Sequence, residues 1–225
     1  MLRLVIEVLL VAVFLYGCGD KERIAQLEQK NNDLELALEA VRVKLEKSAS
    51  KDRFLIEKIR GIKARIVTNL GNVEVKFFPE KAPLQCFSFI TRAESGFYNN
   101  TQFHRVIKGF MIQGGDPNSK NDDPFDDGRG KPMVSIPHEF NDTPHLPGVL
   151  STARPSDESA GAGSQFFIMH GAKSHLDGIY TAFGEVIKGM NVVDMIASVN
   201  TKRSDPRLRD RPVKPIIVRK ILLYR

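Results

Sequence analysis

The most unusual segment of the sequence places one arginine and one glutamine around an apolar pair. A strand-like run, Phe-His-Arg-Val-Ile, carries Arg105, and the next residues supply Phe110, Met111 and Gln113 before a glycine-rich turn. Arginine is permanently charged and presents a rigid planar fork of hydrogen-bond donors. Seen singly, these apolar residues are typical of a core and Arg105 is typical of a surface. Their combination within one short segment is unusual and marks a candidate site.

Other kinds of chemistry have no comparable signal. Two cysteines, Cys18 and Cys86, cannot build a disulfide framework, and no histidine or cysteine pair has the spacing of a structural zinc site. The motif Gly161-Ala162-Gly163 is too short to indicate a nucleotide-binding loop. The four aspartates within residues 122–127 do not follow a calcium-loop spacing, so we interpret them as a solvated loop. We expect no metal or cofactor, and three histidines are interpreted as ordinary surface or loop residues: His138, His145 and His170.

The elements that must position this segment are short and β-rich. From residue 61 onward, alternating apolar runs are separated by glycine and proline, which is typical of strands joined by turns. The pattern predicts strands at 62–69, 73–78, 101–107, 110–115, 148–152, 165–169, 181–187 and 216–224, and helices at 83–94 and 190–199. Eight strands and two helices in this length predict a mainly β fold, a closed antiparallel barrel with helices covering its ends.

Two further stretches complete a pattern that resembles a known family. Residues 163–168 read Gly-Ser-Gln-Phe-Phe-Ile and residues 176–178 read Leu-Asp-Gly. Together with the segment around Arg105, in this order and spacing, they resemble the cyclophilin family of peptidyl-prolyl cis-trans isomerases. The resemblance runs from about residue 62 to residue 225 and includes Phe183-Gly184 and Gly189-Met190. It implies an enzyme that interconverts the cis and trans forms of X-Pro peptide bonds and has no cofactor.

The resemblance also implies roles for particular residues. Arg105 corresponds to the catalytic arginine, and Gln113 corresponds to the residue that hydrogen-bonds the substrate and helps to orient the arginine. The proline pocket corresponds to Phe110, Met111, Phe167 and Leu176. Ala153 and the backbone of Arg154 correspond to the strip that holds the peptide, and Gln165 lies beside it. His104 is interpreted as a packed strand residue rather than an acid or base, because the reaction transfers no net proton.

The sequence departs from the family pattern at three of these positions. Arg154 stands where an asparagine is common, and its backbone can still serve because the contact uses the main chain. His175 stands where a tryptophan that contacts the inhibitor cyclosporin is common, which implies weaker binding of that drug. Tyr180 replaces a common pocket histidine, and an aromatic ring can still form a wall of the pocket.

Residues 18–60 differ from the β-rich region in composition and in the period of their apolar residues. The segment 20–60 contains no proline or glycine, and apolar residues recur with a period of seven, the last of the strong series being Leu45. The seam consists of Ile24, Leu27, Leu34, Leu38, Val41 and Leu45, with the polar Asn31 between them. This pattern predicts a coiled-coil stem that forms a parallel homodimer. The alternative is a single amphipathic helix lying on the globular domain.

Residues 1–17 have the features of a secretion signal. An apolar run at 8–16 is shorter than the roughly 20 residues that span a bilayer, and it ends at Gly17 and Cys18, which resembles the lipobox of bacterial lipoproteins. The resemblance implies cleavage before Cys18 and acylation of this cysteine, which anchors the chain to a membrane. The alternative is an ordinary cleaved signal with an incidental cysteine.

The composition excludes a disordered chain, and the charge is local. Hydrophobic residues make up 42% and charged residues 27% of the 225 residues, and the formal net charge is +6. The tail 201–225 holds 9 basic and 2 acidic residues. We expect no nucleic-acid partner for a secreted, anchored chain, and we interpret the tail as a solvated loop and edge, or as a weak contact for anionic surfaces.

These observations divide the chain into a signal at 1–17, a lipidated stem at 18–60 and an isomerase domain at 61–225. The expected function is isomerisation of X-Pro bonds in proteins that fold in the bacterial cell envelope, with the enzyme domain outside the cytoplasm. The alternative is a module that binds proline-containing segments without catalysis, as a chaperone or envelope scaffold.

Overall fold

The computed structural model describes residues 21–130 and 134–225, which fall into two compact units that divide between Lys51 and Asp52. One helix, α1, spans Lys21–Ile59 and therefore contributes to both units. Its last two turns belong to the second unit, where Leu55 and Ile59 are buried. None of the helices in these residues is long and apolar enough to cross a membrane. The predicted signal and Cys18 lie outside the described residues.

Helix α1 confirms a continuous helix from Lys21 over the rest of the predicted stem. The seam residues Leu34 and Leu38 are 60% and 70% exposed, and Leu27, Val41 and Leu45 are exposed as well. Asn31, the polar residue of the seam, donates from its side-chain amide to Glu35 one turn later, at 3.3 Å. The apolar stripe is thus present on a helix, and the coiled coil stays a prediction.

The second unit is built on one antiparallel sheet of nine strands in the order β3-β9-β1-β2-β8-β6-β7-β5-β4. The strands are β1 Lys63–Thr68, β2 Asn72–Phe77, β3 Thr101–Gln102, β4 Arg105–Ile107, β5 Met111–Gly114, β6 Val149–Thr152, β7 Phe166–Met169, β8 Ala182–Lys188 and β9 Ile217–Tyr224. Two helices accompany it, α2 Pro83–Glu94 and α3 Met190–Ala197. Short 3₁₀ turns lie at Pro117–Lys120, Glu158–Ala160 and Ser174–Leu176.

The predicted eight-stranded closed barrel needs correction. The predicted strand 101–107 is divided into β3 and β4, because β3 pairs with β9 whereas β4 pairs with β5. These two pieces occupy opposite ends of the strand order although two residues separate them. The sheet must therefore curl around its core, and a complete hydrogen-bonded ring is not shown.

Strand alternation creates two apolar layers, one on each face of the sheet. Side chains on successive strand residues point to opposite faces. In β5 and β7, Ile112 and Ile168 enter the main core, whereas Met111 and Phe167 belong to a second, smaller cluster. The main core is centred on Phe89 of α2, whose ring lies 5.0 to 5.6 Å from those of four aromatic neighbours, Phe77, Tyr98, Phe166 and Phe183. The smaller cluster forms the floor of the candidate site.

Helix α2 is fixed at its start by a residue distant in sequence. Pro83 occupies the first turn, where a missing amide hydrogen costs nothing, and Ala82 provides no side-chain cap. The carboxylate of Glu139 instead accepts hydrogen bonds from the backbone amides of Leu84 and Gln85, at 3.0 and 2.8 Å. Burial raises the pKa of this carboxyl, and the two amides oppose that rise. The cap attaches the helix to the segment that leads into β6.

Candidate active site

A cavity of about 720 Å³ in the second unit brings most of the predicted site residues together. Its lining includes nine of the eleven: Arg105, Phe110, Met111, Gln113, Ala153, Arg154, Phe167, Leu176 and Tyr180. Gln165 lines an adjoining cavity of about 350 Å³ that shares Gln113 with the first. The remaining residue, His175, lies at the edge, exposed, with its ring 6.4 Å from that of Phe110.

Arg105 is held from two sides. It lies on β4 directly opposite Gln113 of β5, and its Nη1 donates to the Oε1 of Gln113 at 3.4 Å. Its Nε lies 3.5 Å from the Oδ2 of Asp210. The side chain is 44% exposed, so the guanidinium group is positioned by the protein and still open to the cavity. A fixed positive fork with free donors is suited to a carbonyl oxygen or an electron-rich nitrogen.

The side-chain amides of Gln113 and Gln165 form a directed chain that leads to Arg105. The Nε2 of Gln165 donates to the carbonyl of Gly130 at 3.1 Å, so its Oε1 faces Gln113. The Nε2 of Gln113 donates to that oxygen at 3.0 Å, which turns its own Oε1 toward the guanidinium. Each amide orientation therefore fixes the next one, and the acceptor that faces Arg105 depends on Gln165.

The floor of the cavity is apolar and rigid. Met111, Phe167 and Leu176 are 2%, 5% and 6% exposed, and they pack with the partly buried Phe110 and Tyr180. The rings of Phe167 and Tyr180 meet edge to face, with centroids 5.8 Å apart and planes at 77°. Such a floor can accept a compact apolar ring beside the Arg105 guanidinium.

The predicted peptide strip lies along the edge of the cavity. The backbone amide of Ala153 donates to the carbonyl of Gln165 at 2.9 Å, which links the strip to the start of β7. The guanidinium of Arg154 stacks 4.9 Å from the centre of the Tyr180 ring, and its Nε donates to the carbonyl of Ile179 at 3.0 Å. This side chain thus covers the wall that Tyr180 forms.

A polar triad lies behind the floor, and the interpretation of His145 as an ordinary surface or loop residue was wrong because its ring is buried and paired. His145 is 1% exposed and its ring stacks 6.2 Å from that of Phe167. Its Nδ1 lies 2.9 Å from the carboxylate of Asp177 and its Nε2 lies 3.0 Å from the hydroxyl of Ser151. The backbone amide of His145, followed by its ring, lowers the pKa of the Asp177 carboxyl. The sequence carried no signal for this pairing, because 32 residues separate the two partners.

His104, next to Arg105 in the chain, is buried at 6% exposure. This burial lowers the pKa of its imidazole to about 4, so the ring is neutral near pH 7. A neutral, packed ring agrees with the interpretation of His104 as a strand residue.

The loop that leads into β9 and the acidic group near residue 127 both reach the cavity, which sequence reasoning missed. Asp127 forms an ion pair with Arg211, and their side chains are only 8% and 11% exposed. Arg207 stacks 4.3 Å from the centre of the Phe125 ring. The interpretation of both segments as solvated loops is therefore wrong for Asp127 and Arg211, whose side chains are largely buried in the cavity wall. Arg207 is exposed to solvent, as the interpretation expects.

Comparison with known proteins gives a consistent result. The family model described as cyclophilin type peptidyl-prolyl cis-trans isomerase/CLD matches residues 63–222. A peptidyl-prolyl cis-trans isomerase of Synechococcus elongatus is 40% identical over 144 residues, which cover 60% of this chain and 93% of that protein. A peptidyl-prolyl cis-trans isomerase-like 2 protein of Rhizopus delemar is 39% identical over 181 residues, which cover 77% of this chain. The chain spans only 31% of that longer relative.

Solved structures agree with the sequence relatives. A cyclophilin type peptidyl-prolyl cis-trans isomerase of Cryptosporidium parvum, crystallised in the presence of the dipeptide Ala-Pro, aligns with a TM-score of 0.64 and 31% identity. The alignment covers 72% of this chain and 99% of that structure. The cyclophilin AquaCyp293 of Hirschia baltica aligns with a TM-score of 0.57 at 22% identity, which supports the fold alone.

Proposed function

Since the chain belongs to the cyclophilin-type peptidyl-prolyl cis-trans isomerase family, we propose that this cavity catalyses rotation about X-Pro bonds of proteins, with Arg105 as the catalytic residue. The observation that carries the proposal is the Arg105 guanidinium, held between Gln113 and Asp210 at the edge of a buried apolar floor. The enzyme class follows from the family, and the residue roles are our assignment.

The reaction needs positioning and charge rather than a nucleophile. Resonance in the peptide bond sets a rotation barrier of about 18–20 kcal/mol, and uncatalysed X-Pro bonds take tens to hundreds of seconds. A positive donor beside the prolyl nitrogen favours the twisted form, in which the nitrogen lone pair is no longer delocalised. Arg105 can supply this donor, while the floor formed with Phe110, Met111 and Phe167 can hold the proline ring.

The proposal is tested by refolding of a client protein whose slow phase is limited by a proline. Catalytic amounts of the full chain in non-ionic detergent should accelerate that phase, and Arg105→Ala should remove most of the acceleration. Arg219→Ala, an exposed arginine of β9, is the control and should retain the full rate. Binding of the client without acceleration by the wild-type chain would instead support a peptide-binding module and contradict catalysis.

We propose further that the chain is a lipoprotein of the bacterial cell envelope. The support is the apolar run at residues 8–16 followed by Gly17 and Cys18. Acylation of Cys18 would anchor the isomerase domain to a membrane, outside the cytoplasm. Cys18→Ala should release the protein into the soluble fraction of cells, and mass spectrometry of the mature N-terminus should find acyl groups on Cys18. Retention of the Cys18→Ala protein in membranes would contradict the anchor.

We also propose that the stem forms a parallel dimer. The support is the row of exposed apolar side chains at heptad spacing on α1, with Leu34 and Leu38 at its centre. Sedimentation of the full chain in density-matched detergent should give a dimer, which Leu34→Asp combined with Leu38→Asp should dissociate. Leu36→Asp combined with Val43→Asp is the matched control, because these exposed residues lie off the seam. A wild-type monomer at tens of micromolar would contradict the dimer.

A further inference from the structure

The wall of the catalytic cavity carries an unusual excess of arginine. The residues that line the cavity include six arginines and two aspartates, Asp127 and Asp210. The loop at residues 206–211 supplies three of these arginines and one of the aspartates. Three of the nine basic residues of the tail therefore line the site.

The two loop arginines at the rim are well exposed. The side chains of Arg207 and Arg209 are 73% and 74% exposed. The stacking of Arg207 on Phe125 fixes where its charge lies, although it also pairs with Asp205, at 3.2 Å. The ion pair of Arg209 with Asp210 is long, at 3.8 Å. Exposed pairs of this kind contribute little energy, so a bound carboxylate can compete for these donors.

The aspartates of the wall neutralise only part of this charge, since two aspartates face six arginines. Asp210 is shared between Arg105 and Arg209, and Asp127 is already paired with Arg211. Arg129, which is exposed, adds a further positive charge to the same lining. The lining therefore holds more positive than negative side chains, and a concave surface with a net charge attracts the opposite charge more strongly than a flat surface does.

We infer that the cavity selects proline segments whose neighbouring residues are aspartate or glutamate. The inference rests on the proposed function, since it concerns the peptide that occupies the same cavity. A peptide is favoured over an anionic lipid surface because Arg207 and Arg209 line a concavity together with Arg105 and the apolar floor. Any chain seated with its proline on that floor places its neighbouring residues within the arginine-lined rim.

The test compares acetylated, amidated Ala-Pro peptides that differ only in carrying Glu, Gln or Lys on either side of the Ala-Pro unit. NMR exchange gives kcat/KM, and titration of the same peptides gives Kd, both with the full chain in non-ionic detergent. At low salt we expect the Glu peptides to exceed the Lys peptides by about tenfold in kcat/KM. The ratio should fall toward one in 0.5 M NaCl, because salt screens exposed charges.

Two double variants test whether the loop at residues 206–211 causes the preference for acidic neighbours of proline. Arg207→Gln combined with Arg209→Gln should reduce the Glu-to-Lys ratio to about threefold or less. Arg219→Gln combined with Lys220→Gln removes the same net charge from exposed positions of β9 and should leave the ratio unchanged.

A wild-type ratio near one, or a ratio that the loop variant does not change, would overturn the inference while leaving the isomerase proposal intact. If no peptide is accelerated, the isomerase proposal fails and the Kd ratio still decides the preference. A ratio near one, together with binding of a Cys18→Ala chain to phosphatidylglycerol vesicles through Arg207 and Arg209, would assign the rim to a lipid surface instead.

Discussion

Replacing Gln165 by methionine tests whether the amide chain positions Arg105. Methionine has a similar length and shape but cannot accept the hydrogen bond that Gln113 donates at 3.0 Å. Without this acceptor the Gln113 amide can rotate and present its NH₂ group to the guanidinium. Arg105 would then lose the oxygen of Gln113 that accepts its hydrogen bond at 3.4 Å. Gln165 acts through Gln113 and is a positioning residue, not a catalytic one.

Gln165→Met removes the hydrogen bonds of Gln165 with Gln113 and with Gly130, and the effect on kcat follows from the third bond, between Gln113 and Arg105, which is then lost. A typical intramolecular hydrogen bond contributes about 0.5–1.5 kcal/mol net. If that amount is lost in the transition state, kcat falls by roughly twofold to tenfold. KM should change less than kcat, because the apolar floor that holds the proline is untouched. The assay is NMR exchange of an acetylated Ala-Pro peptide over a range of peptide concentrations.

Two controls make this prediction sharp. Gln29→Met places the same substitution on exposed α1 and should leave both kinetic constants unchanged. Gln113→Met removes the intermediate amide itself, and adding Gln165→Met to it should cause little further loss, since the two residues act as one unit. A wild-type kcat in Gln165→Met, or fully additive losses in the double variant, would refute the positioning argument.

Three further predictions concern stability and the cavity wall. Burial holds the folded-state pKa of His104 at about 4, below the unfolded value of about 6.5. The free energy of unfolding should therefore fall by on the order of 3 kcal/mol as the pH drops from about 6.5 to about 4. Chemical denaturation of His104→Leu should show a shallower fall. Glu139→Ala should lower the stability by about 1–2 kcal/mol in thermal unfolding, because two amides of α2 lose their acceptor, whereas the exposed Glu80→Ala should not. Asp210→Asn should lower kcat at low salt, because the Nε of Arg105 loses its carboxylate at 3.5 Å, and an unchanged kcat would count against that contact.

The sequence predicted the local elements well where periodicity determines them. Helix α2 has the predicted bounds, because its apolar residues recur at helical spacing. Strands β6 and β7 each begin one residue later than predicted, because short apolar runs next to glycines mark these segments. The division of the strand 101–107 was not predictable, because its first part pairs with β9, more than a hundred residues away, and its second part pairs with β5. Contacts over such distances leave no periodic signal.

In the candidate site, too, contiguous motifs were predicted from the sequence and contacts between distant residues were not. The residues around Arg105 and Phe167 were recognised because they form contiguous motifs, and the register of β4, β5 and β7 brings them together. His145 was misjudged because its partner Asp177 lies in another motif and only the fold joins them. That the loop at residues 206–211 lines the cavity was not predicted, because charge alone does not reveal that a segment forms the wall of a cavity.

The most direct test of the central claim is the rate of cis–trans exchange of a neutral Ala-Pro peptide, measured by NMR together with the Kd of the same peptide. With the wild-type chain we predict exchange far above the uncatalysed rate. Arg105→Ala should lower the catalysed rate by about 100-fold, the typical effect of losing one donor aimed at the transition state, while Kd changes by less than about threefold. Equal rates for the two proteins, or a wild-type rate no higher than that of the peptide alone, would contradict catalysis by Arg105.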